Sequence, residues 1–148
     1  RETRPEWRSE MAATNYRSTV VPLGAHTSDA TRYIFRAPER CIINSIYVIE
    51  GTTRAASDSN YATYTVTNIE DDATGTDVVA TLSNNVAGGA VTADVPKAMV
   101  LSTTAANLEI AEGDILQLTI NIDVAGTSRP DAEFAAIVNW TPGTGPGQ

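Results

Sequence analysis

Lysine occurs once in this chain, at Lys97, histidine once, at His26, and cysteine once, at Cys41. Each shortage excludes something. A lone cysteine forms no internal disulfide, and one histidine with one cysteine falls short of the usual zinc ligand sets. Cys41 is therefore expected to be a small core hydrophobe. Long Leu/Glu/Lys runs are missing, so strong helix formers are scarce. No stretch approaches the roughly 20 apolar residues of a membrane span. The opening residues are charged and lack an apolar h-region, so no signal peptide is read there. The chain opens on Arg1 and not on Met, which leaves open processing, a numbering that begins at the first ordered residue, or initiation at Met11 with 1–10 as an upstream extension.

What is abundant is Thr, Ala, Val, Asn and Asp, a mixture of β-branched and turn-forming residues. The chain has 148 residues, 42% of them hydrophobic, enough for one domain with one core. Strand signals recur at short intervals, over 19–23, 31–36, 41–50, 61–69, 77–82, 97–101, 107–110, 114–123 and 132–140. The clearest is 114–123, where Leu116, Leu118, Ile120 and Ile122 share one face and Gln117, Thr119 and Asn121 the other. In the last segment Phe134, Ala136, Val138 and Trp140 share a face. Turn residues separate the segments: Glu112-Gly113-Asp114, Asn84-Asn85, Gly88-Gly89, and 73–75. No helix of ten or more residues fits between them, which disfavours a βαβ fold. The expected architecture is all-β, an antiparallel two-sheet β-sandwich of jelly-roll type carrying an extended N-terminal arm. Residues 1–17 are the arm, 18–140 the sandwich and 141–148 (TPGTGPGQ) a flexible tail. Pattern alone leaves the strand order open.

Formal net charge is −8. The arm sets Arg1, Arg4, Arg8 and Arg17 against Glu2, Glu6 and Glu10, so the rest of the chain carries −9. An acidic body argues against nucleic acid and against anionic membrane surfaces, and suits docking on a basic partner. The arm, residues 1–17, shows no period-2 pattern, although Pro5–Met11 has room for a short helix. It holds Trp7 and Tyr16, which are costly to leave exposed. With Arg4, Arg8 and Arg17 they form the residue set favoured as interface anchors, so these five are the candidate partner-binding residues. The bland alternative folds the aromatics back onto the chain's own surface.

Chemistry is harder to find. His26 lies in a polar loop with Asp29, but no Gly-x-Ser-x-Gly elbow supports a triad. The acidic run Glu70-Asp71-Asp72, with Asp77 beyond, lacks the spacings of an EF-hand and is expected to be a solvated hairpin loop. Glu109, Glu112 and Asp114 flank a Gly turn, where charges occur without any catalytic pairing. There is no phosphate loop or dinucleotide fingerprint. No catalytic residue, metal site or cofactor is expected.

The phrases Pro38-Glu39-Arg40-Cys41-Ile42-Ile43, Ser45-Ile46-Tyr47-Val48 and Asn60-Tyr61-Ala62-Thr63-Tyr64-Thr65-Val66 carry a likeness to known proteins. So do Leu101-Ser102-Thr103-Thr104-Ala105-Ala106-Asn107-Leu108 and Ala111-Glu112-Gly113-Asp114-Ile115-Leu116. Over roughly 19–140 the chain resembles head-decoration (cement) and minor structural proteins of tailed bacteriophages. That resemblance implies a virion protein on the capsid surface, often a homotrimer, that binds and stabilises the assembled major capsid protein. It offers no catalytic residues. The competing expectation is a carbohydrate-binding or adhesin-like module of a phage tail or fibre, with Tyr33, Tyr47, Tyr61 and Tyr64 as its aromatic supply.

Overall fold

Alternation along Ile115–Val124 places Leu116, Leu118 and Ile120 at 0% exposure, as a half-buried strand requires. The computed structural model describes residues 15–25, 29–124 and 133–143. The strands are β1 Arg17–Pro22, β2 Ala30–Arg36, β3 Cys41–Glu50, β4 Asn60–Asn68, β5 Asp77–Ser83, β6 Lys97–Ala98, β7 Val100–Leu101, β8 Glu109–Ile110, β9 Ile115–Val124 and β10 Phe134–Pro142. The expectations for 1–14, 26–28, 125–132 and 144–148, among them the Pro5–Met11 helix, His26 and most of the tail, lie outside the described residues.

Pairing is antiparallel and nested. β1 pairs with β10, β2 with β9, β3 with β6 and β8, and β4 with β5. The sheets are therefore ordered β1-β10-β3-β6, with β8 also on β3, and β2-β9-β4-β5-β7. A long antiparallel ribbon rolled around a core gives this order, the jelly roll. The inner faces meet in one cluster that includes Ile34, Ile46, Val48, Tyr64, Val66, Leu118, Phe134 and Val138. Two aromatic pairs cross between the sheets. Tyr64 stacks on Phe134 at 5.9 Å, and Phe35 meets Trp140 at 5.6 Å with the rings tilted by 58°.

Strict period-2 reading breaks at three bulges. Register shifts between Tyr33 and Phe35, between Asn139 and Trp140 opposite β3, and between Val66 and Thr67 opposite β5. Each lets the inward parity change, so Ile34 and Phe35 are both buried, as are Val79 and Ala80. In β3 the buried set switches from Cys41 and Ile43 to Ile46, Val48 and Glu50. The expected strand at 107–110 is shorter than its pattern suggests. A 3-10 turn, Ala105–Leu108, occupies its start and leaves only Glu109–Ile110 extended. The turn before β9 follows its composition, with Gly113 left-handed at φ 91°.

The two sides of the sandwich differ. On one, the segment 97–101 crosses between the sheets. Lys97 and Ala98 pair with β3, the Met99 amide donates to the Ile46 carbonyl at 2.8 Å, and Val100 and Leu101 pair with β5. That crossing closes the side. On the other, β1 and β2 are the edge strands of different sheets, and no described strand bridges them.

Candidate functional site

The open side carries a groove of ≈ 550 Å³ lined by Thr19, Tyr33, Ile34, Phe35, Arg36, Pro38, Ile115 and Trp140. Local sequence explains it. β1 is Arg-Ser-Thr-Val-Val-Pro; after Arg17, which lies over Trp140, its side chains are small, and none of its residues is buried. The bulge in β2 turns both Ile34 and Phe35 inward, which makes the groove floor aromatic and aliphatic. Tyr33 stands at the rim, 67% exposed. Trp140 forms the inner wall, and its Nε1 is buried without a hydrogen-bond partner among the described residues.

The start of β1 lies beside this groove. Arg17, the first residue of β1, pairs across the sheet with Trp140. Its guanidinium lies 5.1 Å over the Trp140 ring and bridges to Glu39 at 2.9 Å. At the other end of the described chain, the Gly143 amide donates to the Arg40 carbonyl. Of the five candidate anchors, Arg4, Trp7 and Arg8 lie outside the described residues. Tyr16 is 59% exposed, and Arg17 is engaged within the chain.

A second feature is invisible in any single segment. Pairing lines up Val20, Ile137, Tyr47 and Ala98 across the outer face of the first sheet, and Pro22, Ala135 and Ile49 in a neighbouring row. These seven side chains are exposed or half-exposed and uncharged, and Val20 is 61% exposed. The outer face of the other sheet reads differently. There Thr31, Thr119, Thr65 and Thr81 form one row, flanked by Gln117, Asn121, Thr63 and Thr67. The first outer face therefore carries an apolar patch beside a polar row, Ser18, Asn139 and Ser45, whereas the second is mainly hydroxylic, with exposed Val100 at the end of its threonine row.

Other candidates resolve into structural roles. Cys41 is fully buried, and its thiol is pushed up to about 11, chiefly by burial, with Glu39 and Asp114 adding to it. The Asp29 carboxylate accepts from the Ile122 amide at 2.8 Å and ties its loop to β9. Glu109 bridges to Arg40 at 2.7 Å. Asp114 accepts from the Asn68 side chain at 2.8 Å and from the Ala111 amide, so it braces the Gly113 turn. In the acidic loop, Asp72 accepts from the Thr74 amide and hydroxyl, and those bonds hold its carboxyl below the usual range. Among the described residues no group of three or more His, Cys, Asp or Glu is placed to hold a metal ion. The tyrosines do not form one platform. Tyr64 is buried and Tyr47 sits on the other sheet. Tyr33 and Tyr61 share a sheet but lie opposite Gln117 and Asp123, about 20 Å apart along β9.

Comparison with known proteins adds little. No family model matches the chain, and no curated protein does. Among solved structures, a chain of "Structure of infectious bursal disease virus Gx strain" is similar at a TM-score of 0.42 and 14% identity. The alignment covers 88% of this chain and 33% of that one, so this chain spans a third of its length.

Proposed function

We propose that this chain is a virion structural protein of the decoration type, working by binding and not by catalysis. The observation that carries the reading is the contrast between the two outer faces. A seven-residue apolar patch on a protein of net charge −8 is costly to hold in water and suits a docking surface. Jelly rolls serve shell proteins, lectins and cupins. A cupin-type metal site needs more histidines than the chain's one. A lectin-type site needs convergent polar groups beside an aromatic, whereas the groove offers Thr19, Tyr33 and Arg36 in an otherwise apolar lining. Docking on a protein shell remains, with the apolar face seated on major capsid protein and the acidic body facing a basic partner. The arm supplies a second contact, to a neighbouring subunit of the array. A ligand that binds only the assembled shell stabilises it by mass action.

The test is co-sedimentation of the purified chain with empty phage shells and, separately, with unassembled major capsid protein. Saturable binding to shells alone, together with a raised shell melting temperature, is the expected result. Val20→Asp, on the apolar face, should abolish that binding and leave the fold intact. No binding to shells, together with hits on a glycan array that Tyr33→Ala removes, would replace this reading with the sugar-binding one.

A further inference from the structure

We infer that the groove between β1 and β2 is the receptor for the N-terminal arm of a second copy of this chain, with Trp7 as the inserted side chain. The inference deepens the arm's part in the proposed function but does not need the shell. It starts from the sequence of the arm. The expectation of no period-2 pattern in the arm does not hold for charge: from Glu2 to Met11 every even position is charged (Glu2, Arg4, Glu6, Arg8, Glu10) and every odd one is uncharged (Thr3, Pro5, Trp7, Ser9, Met11). An extended backbone sends alternate side chains to opposite sides. Laid out as a strand, this segment presents Pro5, Trp7 and Met11 on one side and five charges on the other. That is the pattern of a peptide that covers an apolar trough and keeps its outer side wet.

The groove matches that peptide. Its lining is apolar apart from Arg36, the Thr19 hydroxyl and the Tyr33 rim, and it lies in a seam whose two flanking strands are both sheet edges. Edge strands with free backbone groups accept an added strand readily. Beyond the groove's Arg36 end is an acidic lip. A side chain built at Gly113 would sit 3.8 Å from the Arg36 guanidinium and 3.9 Å from the Asp71 Cβ, so the two are close neighbours. Glu70, Asp71, Asp72 and Glu112 are exposed there and make no salt bridge among the described residues. Arg4 and Arg8 of the arm have the sign opposite to this lip, while Glu2, Glu6 and Glu10 on the same side share its sign.

Geometry favours a second copy over self-insertion. Trp7 is ten residues before Arg17, a reach of up to about 33 Å when extended. The chain's own groove, however, is flanked by its own Thr19, only two residues past the clamp that Glu39 and Trp140 place on Arg17. To fill it, the arm would have to double back between Trp7 and Arg17, and of 12–16, Ala-Ala-Thr-Asn-Tyr, only Asn15 is a favoured turn residue. A neighbouring copy is reached without that reversal, and arms passed from copy to copy build a closed oligomer.

The experiment is light scattering of the full chain over a dilution series, with Trp7→Ala on the arm and Thr19→Arg or Tyr33→Glu in the groove. Each change is at an exposed or half-exposed position or in the arm, and circular dichroism checks that each variant is folded. The wild type should associate reversibly, and each variant should weaken association by about thirtyfold, the loss expected of a hot-spot anchor. Mixing Trp7→Ala, which keeps its groove, with Thr19→Arg, which keeps its arm, should restore a heterodimer that neither forms alone. A wild type that is monomeric throughout overturns the inference, as does an oligomer that neither class of variant weakens. If the wild type is monomeric and Trp7→Ala speeds amide exchange in β1 and β2 at every dilution, the arm lies in its own groove, which also overturns it. Shell binding that persists in Trp7→Ala would leave the decoration reading standing while this one falls.

Discussion

Two buried ionisable groups, and one buried amide, show how single side chains carry this fold. The Cys41 thiol is held at 0% exposure and pushed up to about 11 from an ordinary 9.0. The folded state therefore binds the thiol proton more tightly than the unfolded state does. Its contribution to stability is complete below about pH 9 and is lost as pH rises towards 11. Alkylation by iodoacetamide at pH 8 should be negligible in the native protein and rapid in urea, and mass spectrometry of the adduct reads this directly. Fast native labelling would mean that β3 opens at its first residue. Glu50 is the other case, a fully buried carboxylate with the Arg54 guanidinium at 3.1 Å. Arg54→Met removes a cation and leaves a charge in the interior, so chemical denaturation should show a loss of about 3 kcal/mol. Glu50→Gln in the same background should recover part of it. Asn84 works without charge. It is buried, and its side-chain oxygen accepts from the Ala62 amide at 2.8 Å while its backbone amide bonds back to the Ala62 carbonyl. The sequence marks Asn84-Asn85 only as a turn, because an asparagine in a turn and one clamping a strand look alike until the strand is placed.

At the scale of elements, the central strand carries the sharpest expectation. Ile120 is at 0% exposure in β9, paired with Ala30 on one side and Tyr64 on the other. Ile120→Asp buries a carboxylate with no partner and should cost more than about 5 kcal/mol, enough to abolish folding. Val20→Asp is the matched control. It places the same charge at a 61% exposed site on β1 and should shift stability by no more than about 0.5 kcal/mol. Urea melts of the two distinguish an inward register from an outward one, since a one-residue slip would exchange their effects. Period-2 alternation made β9 and β10 readable from composition alone, because both run without interruption on their inner faces. It could not locate the bulges at Ile34, Asn44 and Val79, where an extra residue changes parity without a distinctive residue type. Nor could it show that 97–101 is split between two sheets, since a strand that changes partners keeps the same alternation. The candidate site was legible by half. The arm's aromatics and arginines stood out, but the groove and the apolar outer face are assembled from β1, β2, β3, β9 and β10, which only the strand order brings together.

For the whole molecule, the asymmetry of the sandwich predicts an uneven distribution of stability. The closed side is held by 97–101 bonding to both sheets, with Met99 buried between them. The open side ends in β1, which contributes no buried residue and is hydrogen-bonded along one edge only. Amide exchange follows local opening, so protection should be greatest in β9, β4, β10 and β3, which have strands on both sides, and least in β1. Hydrogen-exchange mass spectrometry of the full chain, at concentrations below and above association, reads both the ranking and its change. On association, the amides of β1 and β2 should slow, since an inserted segment covers the seam and pairs with its edges, while the crossing at 97–101 should not change. Trp7→Ala should hold β1 at the dilute rate at every concentration. Protection appearing instead over Tyr47, Ile49 and Ile137 would place the contact between copies on the apolar outer face. That face would then be spent within the oligomer, and the shell would have to be met by the threonine-lined sheet.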